Sequence, residues 1–231
     1  MGNVPFVVTP QWAENSRCVT RLFRFVYRVT KREATMAEKI SDAALDTLFR
    51  KARSYGSFAD EPVTDAQLHA IYEIMKHGPT TANSQPQRIV FLRSAQAKQR
   101  LAPALSSINR EKTLAAPVVA IFAYDLKFPD HLPRFYHNKD AQKWYTKTPE
   151  HTEQTAFRNA SLQAAYFMLA ARALGLDCGP MSGFDNAKVD AEFFPDGQWK
   201  SNFLCNLGKG DPTKLPPLNP RFGFEEVCKI L

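Results

Sequence analysis

The chain has 231 residues, 44% of them hydrophobic and 23% charged, the balance of an ordinary globular protein with one sizeable core. No apolar run approaches the ~20 residues a membrane-crossing helix needs, which excludes a spanning segment. The net charge of +7 is uneven: Arg17, Arg21, Arg24, Arg28, Lys31 and Arg32 against Glu14 and Glu33 put +4 into the first 35 residues. The other 196 carry +3, too little to indicate a nucleic-acid backbone as partner.

In the N-terminal segment the four arginines recur at helical spacing beside Leu22, Phe25 and Val29. Such a start fits an organellar presequence, a membrane-surface helix, or a start codon placed too far upstream with Met36 as the natural beginning. The last reading is favoured, so residues 1–35 are expected to stand outside the fold and 36–231 to form a single domain. Ser41 can cap a helix with Leu45, Leu48, Phe49 and Ala52 on its apolar stripe. RSYGSFADEPV follows as a loop, and Thr64-Asp65-Ala66-Gln67 is a capping box for a helix through Ile71, Tyr72 and Met75, closed by Gly78.

RIVFLRS (88–94) reads as a strand, AQAKQRLAPAL as a helix, and PVVAIFAYD (117–125) as a buried strand. Residues 126–150, rich in Pro, His, Lys and aromatics, read as a mobile excursion with at most a short helix. TAFRNASLQAAYFMLAARALG (155–175) is a long helix, apolar nearly all round in its second half, and belongs between layers. CGPMSGFD makes a turn, NAKVDAEFF starts a helix, NFLCNLG (202–208) is a buried strand, and a proline-rich tail ends the chain. This order predicts an α+β domain of two or three layers, without a βαβ phosphate fingerprint.

The four cysteines are widely spaced and the five histidines show no metal-ligand spacing, so reduced thiols, no metal site and a cytoplasmic setting are expected. Four stretches carry candidate chemistry. GPTTANSQPQ (78–87) gathers uncharged donors and acceptors on one turn, lacks the GK[ST] of a phosphate loop, and offers Asn83 and Gln85 to the imide edge of a flat heterocycle. An ordinary self-capped polar turn explains the same residues. Arg53-Ser54 can grip a phosphate or simply end a helix. CGPMSGFD lets backbone N–H groups approach a ligand or connects two elements. Asn109-Arg110-Glu111-Lys112 precedes a buried strand or is plain surface.

Their order, however, resembles the FMN-dependent nitroreductase family. The matching runs are ARSYGSF (52–58), PTTANSQP (79–86), NREKTLAAPVV (109–119), GPMSGFD (179–185) and NPRFGF (219–224). The resemblance implies a nitroreductase-like fold, with a central mixed or antiparallel sheet flanked by helices and an extended C-terminal tail. It also implies a homodimer with a non-covalent FMN between subunits. Thr80, Asn83 and Gln85 would line the flavin, and Asn109 and Lys112 its pyrimidine edge. Pro180, Met181, Ser182 and Gly183 would pass over the ring, with a backbone N–H near Ser182 facing N5. Arg53, Ser54 and Arg221 would take the phosphate. Ala52, Gly56 and Asn219 stand where the family commonly has basic residues, which leaves the phosphate to fewer charges.

The implied activity is ping-pong: NADH or NADPH gives hydride to the flavin and leaves, then an acceptor takes it in the same slot, with no side chain as acid or base. The aromatic-rich excursion, with Phe135, Tyr136, Trp144 and Tyr145, either lids that slot or packs on the long helix. KHGPTTAN, APALSSIN, TAFRNASLQAAY, LGLDCGPMSGFD and FEEVCKIL are similar to the subgroup that reduces malonic semialdehyde in bacterial pyrimidine degradation. A broad nitro or quinone reductase is the alternative.

Overall fold

The Ser41 hydroxyl accepts from the Ala44 amide at 3.2 Å and caps a short helix, α1 (Asp42–Leu45), which widens into a π-turn over Asp46–Arg50. The computed structural model describes residues 38–231, of which 41–231 form one compact unit. The expectations for residues 1–35 and for a beginning at Met36 lie outside the described residues. The stripe expected to bury this first helix is incompletely covered, and Phe49 is 57% exposed. The segment lies on the outside of the long helix rather than between layers, with the Leu48 carbonyl accepting from Arg172 at 3.0 Å.

The capping box forms: Thr64 Oγ1 accepts from the Gln67 amide at 3.2 Å, and the Thr64 amide donates to Gln67 Oε1 at 2.9 Å. It starts α2 (Asp65–Met75), closed where the Gly78 amide donates to the Met75 carbonyl at 3.0 Å. The chain continues through β1 (Gln87–Leu92), α3 (Ala95–Leu101), α4 (Ser107–Ala115) and β2 (Val118–Asp125). Two short helices follow, α5 (Leu132–Phe135) and α6 (Gln142–Tyr145), before the long α7 (Pro149–Ala173). Then come β3 (Asp177–Met181), α8 (Asn186–Phe193), β4 (Trp199–Gly208) and, in the tail, α9 (Phe224–Val227).

The four strands make one antiparallel sheet in the order β1-β2-β4-β3. Strand alternation sorts its side chains between two helical layers. Val118, Ala120, Phe122, Cys205 and Leu207 meet α2 and α7 through Ile71, Ala164 and Phe167. Val119, Ile121, Ala123 and Leu204 meet α3 and α8 through Leu101 and Val189. All eight residues of β2 are buried: the apolar run 118–124 requires it, and Asp125 at the end pairs with Arg88. The architecture is α+β with helices on both faces of the sheet.

Two readings need correction. CGPMSGFD is not wholly a turn, because Asp177–Met181 pairs with β4 as an edge strand. Gly179 and Pro180 disguise it: Cys178 turns its carbonyl outward to the Tyr55 amide at 3.0 Å, so Pro180, two residues on, sits where the ladder needs no N–H. Residues 126–150 are not a featureless excursion either. Phe128, Leu132 and Ala141 are buried against Tyr124, Ala156 and Ala160 in a third, smaller cluster.

Candidate functional site

Three of the four candidate stretches meet at the β3 edge of the sheet. Ser54 bridges to Cys178, which lays the 53–56 loop beside β3. Gly179 permits this approach, since a Cβ there would stand 2.2 Å from the Tyr55 carbonyl oxygen. On the other side of the 180–183 segment lies α4. Its Asn109, 8% exposed, donates through Nδ2 to the Gly183 carbonyl at 3.0 Å, and the Ser106 amide donates to the same oxygen at 3.1 Å. Thr113 Oγ1 donates to Met181 Sδ at 3.2 Å. Pro180, Ser182 and Gly183 themselves are exposed.

Lys112 sits one helical turn beyond Asn109 on α4, half-buried, with its stem facing Gly56. Among the described residues its ammonium has no hydrogen-bond or ion-pair partner. The Arg53 guanidinium donates to the Pro216 carbonyl, which ties the loop to the start of the tail. Burial pushes the Tyr55 phenol above its ordinary value, aided by the Asp177 carboxylate and opposed by Arg53. Ser182 follows the last paired residue of β3, and its N–H has no partner among the described residues.

The uncharged turn lies elsewhere. It enters β1, the opposite edge strand, three strand spacings or about 14 Å across the sheet from β3. Ala82, Asn83 and Gln85 all have positive φ, at 45°, 51° and 44°. Asn tolerates that region, but for Ala and Gln it costs on the order of 1 kcal/mol each. The turn partly caps itself: Thr80 Oγ1 accepts from the Gln85 amide at 3.2 Å, and Gln85 Nε2 donates to Asn83 Oδ1 at 3.0 Å. It is also held from outside, by Asn159 Oδ1 accepting from the Thr81 amide at 2.9 Å and by Asn83 Nδ2 donating to the Phe135 carbonyl at 3.1 Å. Arg221 joins neither group; it is exposed and donates to the carbonyls of Asn219 and Pro220 in its own tail, at 3.0 and 3.1 Å.

The family model described as "Nitroreductase family" matches residues 49–209, which include the turn, α4 and the whole sheet. The chain belongs to the nitroreductase family. Among curated relatives it is 52% identical over 192 residues to a "Putative NADH dehydrogenase/NAD(P)H nitroreductase" of Ralstonia nicotianae, covering 83% of this chain and 98% of the relative. A protein of the same name from Burkholderia lata is 54% identical over 191 residues, again 83% and 98%. A solved "putative nitroreductase in complex with FMN" from Exiguobacterium sibiricum superposes with a TM-score of 0.74 at 20% identity, covering 85% of this chain and all of that one. A Bacillus subtilis structure of similar description has a TM-score of 0.74 at 24% identity, with 82% and 99% covered. These structural likenesses are of fold.

The donor set at the β3 edge suits the long anionic cofactor expected for the family. Among the described residues, an unpartnered ammonium, a guanidinium, an unpaired N–H and a buried amide line one stretch of exposed backbone. Two residues there were missed from the sequence. Tyr55 packs its ring against Gly210, where a Cβ would lie 2.3 Å from it. Asn206, fully buried in β4, donates through Nδ2 to the Lys112 carbonyl at 3.3 Å. The lone amide in the apolar run FLCNLG was the available signal.

Proposed function

We propose that this protein is an FMN-dependent NAD(P)H oxidoreductase whose cofactor lies along the β3 edge, over residues 180–183. The observation that carries the reading is the unpartnered Lys112 ammonium, held on α4 beside that segment by a chain of the nitroreductase family. When bound, FMN supplies the hydride relay between a nicotinamide nucleotide and an acceptor. The residues have separate tasks. Lys112 stabilises the negative charge that reduction places on the pyrimidine edge, in a site where a fixed cation counts for more than in water. Asn109, locked to Gly183, orients that edge, and the Ser182 N–H offers a donor to the ring. Arg53 and Ser54 take the phosphate, with Arg221, apart from them in the single chain, brought to it by the tail in the homodimer proposed below.

The same reading includes a homodimer. Thr80, Asn83 and Gln85 lie on the far edge of the sheet from Lys112, so one flavin reaches both sets when the turn comes from a second copy. The tail supports self-association: Phe222, Phe224, Val227 and Ile230 are between 56% and 87% exposed, an apolar surface with no cover among the described residues. Gel filtration with light scattering tests this, and a monomeric holoenzyme would refute it. The location proposed is the cytoplasm; no described helix is long and apolar enough to cross a membrane.

For the acceptor, the runs KHGPTTAN, LGLDCGPMSGFD and FEEVCKIL favour a small aldehyde such as malonic semialdehyde, giving 3-hydroxypropionate. The names of the curated relatives favour the second reading, a broad nitro or quinone reductase. Steady-state rates with malonic semialdehyde, a benzoquinone and a nitroaromatic under NADH and NADPH separate the two. A kcat/KM for the aldehyde below that for both others sinks the first.

A further inference from the structure

We infer that Asn206 is a positioning residue that sets the place of Lys112, and through it the preference of the site for reduced over oxidised flavin. The inference rests on the functional reading above. It starts from the end of α4. The last carbonyls of a helix lack donors from their own helix and must find others. Here the Ala116 amide, which would serve the Lys112 carbonyl in a continued helix, turns instead to Thr113 at 3.4 Å. The donor that replaces it comes from the sheet, as Asn206 Nδ2 at 3.3 Å.

That bond fixes the backbone of Lys112 to the last third of β4. Asn206 is fully buried and pairs across the ladder with Val119 on one side and Gly179 on the other. Its Cβ lies 3.5 Å from where a side chain on Gly179 would begin, so it also stands directly beside β3. One amide therefore links the two walls of the site, the helix that carries Lys112 and the strand that leads into residues 180–183. Asn206 Oδ1 is buried and without a partner among the described residues, a cost an apolar residue of similar size would not carry. The amide works through its donor alone, and the donor is spent on Lys112.

Among the described residues the ammonium of Lys112 has no side-chain partner to hold it, so its position depends on where the backbone places its stem. Loosening that backbone lets the cation move out towards water, where its effect on a nearby negative charge falls. The loss should be felt by the reduced flavin, which carries the charge, and much less by the oxidised one.

The experiment measures the affinity of the full chain for oxidised and for reduced FMN, under anaerobic conditions, in four proteins: wild type, Asn206→Leu, Lys112→Met and the double variant. Leu keeps the volume and removes both the donor and the orphan oxygen; Asn206→Ala is measured alongside in case the branched side chain disturbs the sheet. The expected result is a roughly tenfold fall in the reduced-to-oxidised affinity ratio for Asn206→Leu, which is about 30 mV for a two-electron couple. In the Lys112→Met background the same change should do nothing. A ratio unchanged in both Asn206 variants, or an equal fall in both backgrounds, overturns the inference while leaving FMN binding intact. Wild-type protein that takes up no FMN overturns the functional reading and this inference with it.

Discussion

Asn83 Nδ2 donates to the backbone carbonyl of Phe135 at 3.1 Å, joining two segments 52 residues apart in the chain. Gln85 Nε2 in turn donates to Asn83 Oδ1 at 3.0 Å, so the uncharged turn and the helix α5 of the aromatic excursion share one line of hydrogen bonds. Phe135 itself is 39% exposed beside this line, and Tyr145 Oη lies 3.2 Å from Thr81 Oγ1. The excursion is therefore anchored to the turn, and the two should be disturbed together.

Replacing Asn83 and Gln85 by glycine separates their contacts from their strain. Both have positive φ, which glycine adopts freely, so the relief offsets most of the added chain entropy and stability should change by less than about 1 kcal/mol. FMN affinity is expected to fall at least tenfold in the double variant, read by quenching of flavin fluorescence. Full affinity would return the turn to a purely structural role.

Gly183→Ala tests the opposite wall. A Cβ there would lie 2.5 Å from Asn109 Nδ2, so the Asn109–Gly183 bond must break or the 180–183 segment must shift. Loss of a part-buried bond of this kind costs about 1 kcal/mol. The melting temperature should drop by several degrees and FMN retention should fall with it. A variant as stable as wild type that keeps its flavin would show that the segment is freer than its contacts imply.

A pH effect is expected at Tyr124, the cross-strand partner of Gln87. Its hydroxyl donates to Glu153 Oε1 at 2.8 Å; burial first, then that bond and the Glu153 and Asp190 charges, hold the phenol well above its ordinary value of 10.0. A group whose folded value is raised stabilises fully below its unfolded value and loses that contribution as pH climbs towards the folded one. Tyr124→Phe should therefore cost about 1 kcal/mol at neutral pH, and the gap from wild type should narrow above pH ~10. Urea unfolding of both proteins at neutral and alkaline pH measures it. A gap that widens with pH would reverse the sign argued here.

Removal of residues 222–231 takes away Phe222, Phe224, Val227, Ile230 and Leu231, each more than half exposed in the single chain. In the homodimer proposed above these residues are covered, so the truncated protein should be monomeric and poor in flavin while its far-ultraviolet spectrum stays native. A truncated protein that elutes as wild type would place the self-association surface elsewhere.

The sheet and the long helix were legible because β2 and α7 carry their burial in their spacing: seven apolar positions in a row for the one, an almost all-round apolar second half for the other. The caps at Ser41 and Thr64 were equally plain, since hydroxyl and amide stand at the offsets that backbone donors require. β3 was hidden because an edge strand tolerates Gly179 and Pro180, the residues that otherwise announce a turn. At the site, the residue types of Asn109, Lys112, Arg53 and Ser54 were visible, but not that three stretches converge while the turn lies on the other edge. Strand order decides that, and β1-β2-β4-β3 is a property of the folded sheet rather than of any one run. Asn206 escaped for a related reason: its partner, the Lys112 carbonyl, is 94 residues away.

In the function proposed above, residues of the β3 edge hold an FMN that a nicotinamide nucleotide reduces. The direct measurement is an anaerobic titration of purified, FMN-loaded protein with NADH and then NADPH, following the long-wavelength flavin absorbance. Stoichiometric bleaching by at least one nucleotide, reversed by malonic semialdehyde or a quinone, is the predicted result. Protein that stays colourless after incubation with FMN, or bound flavin that neither nucleotide bleaches, would contradict it.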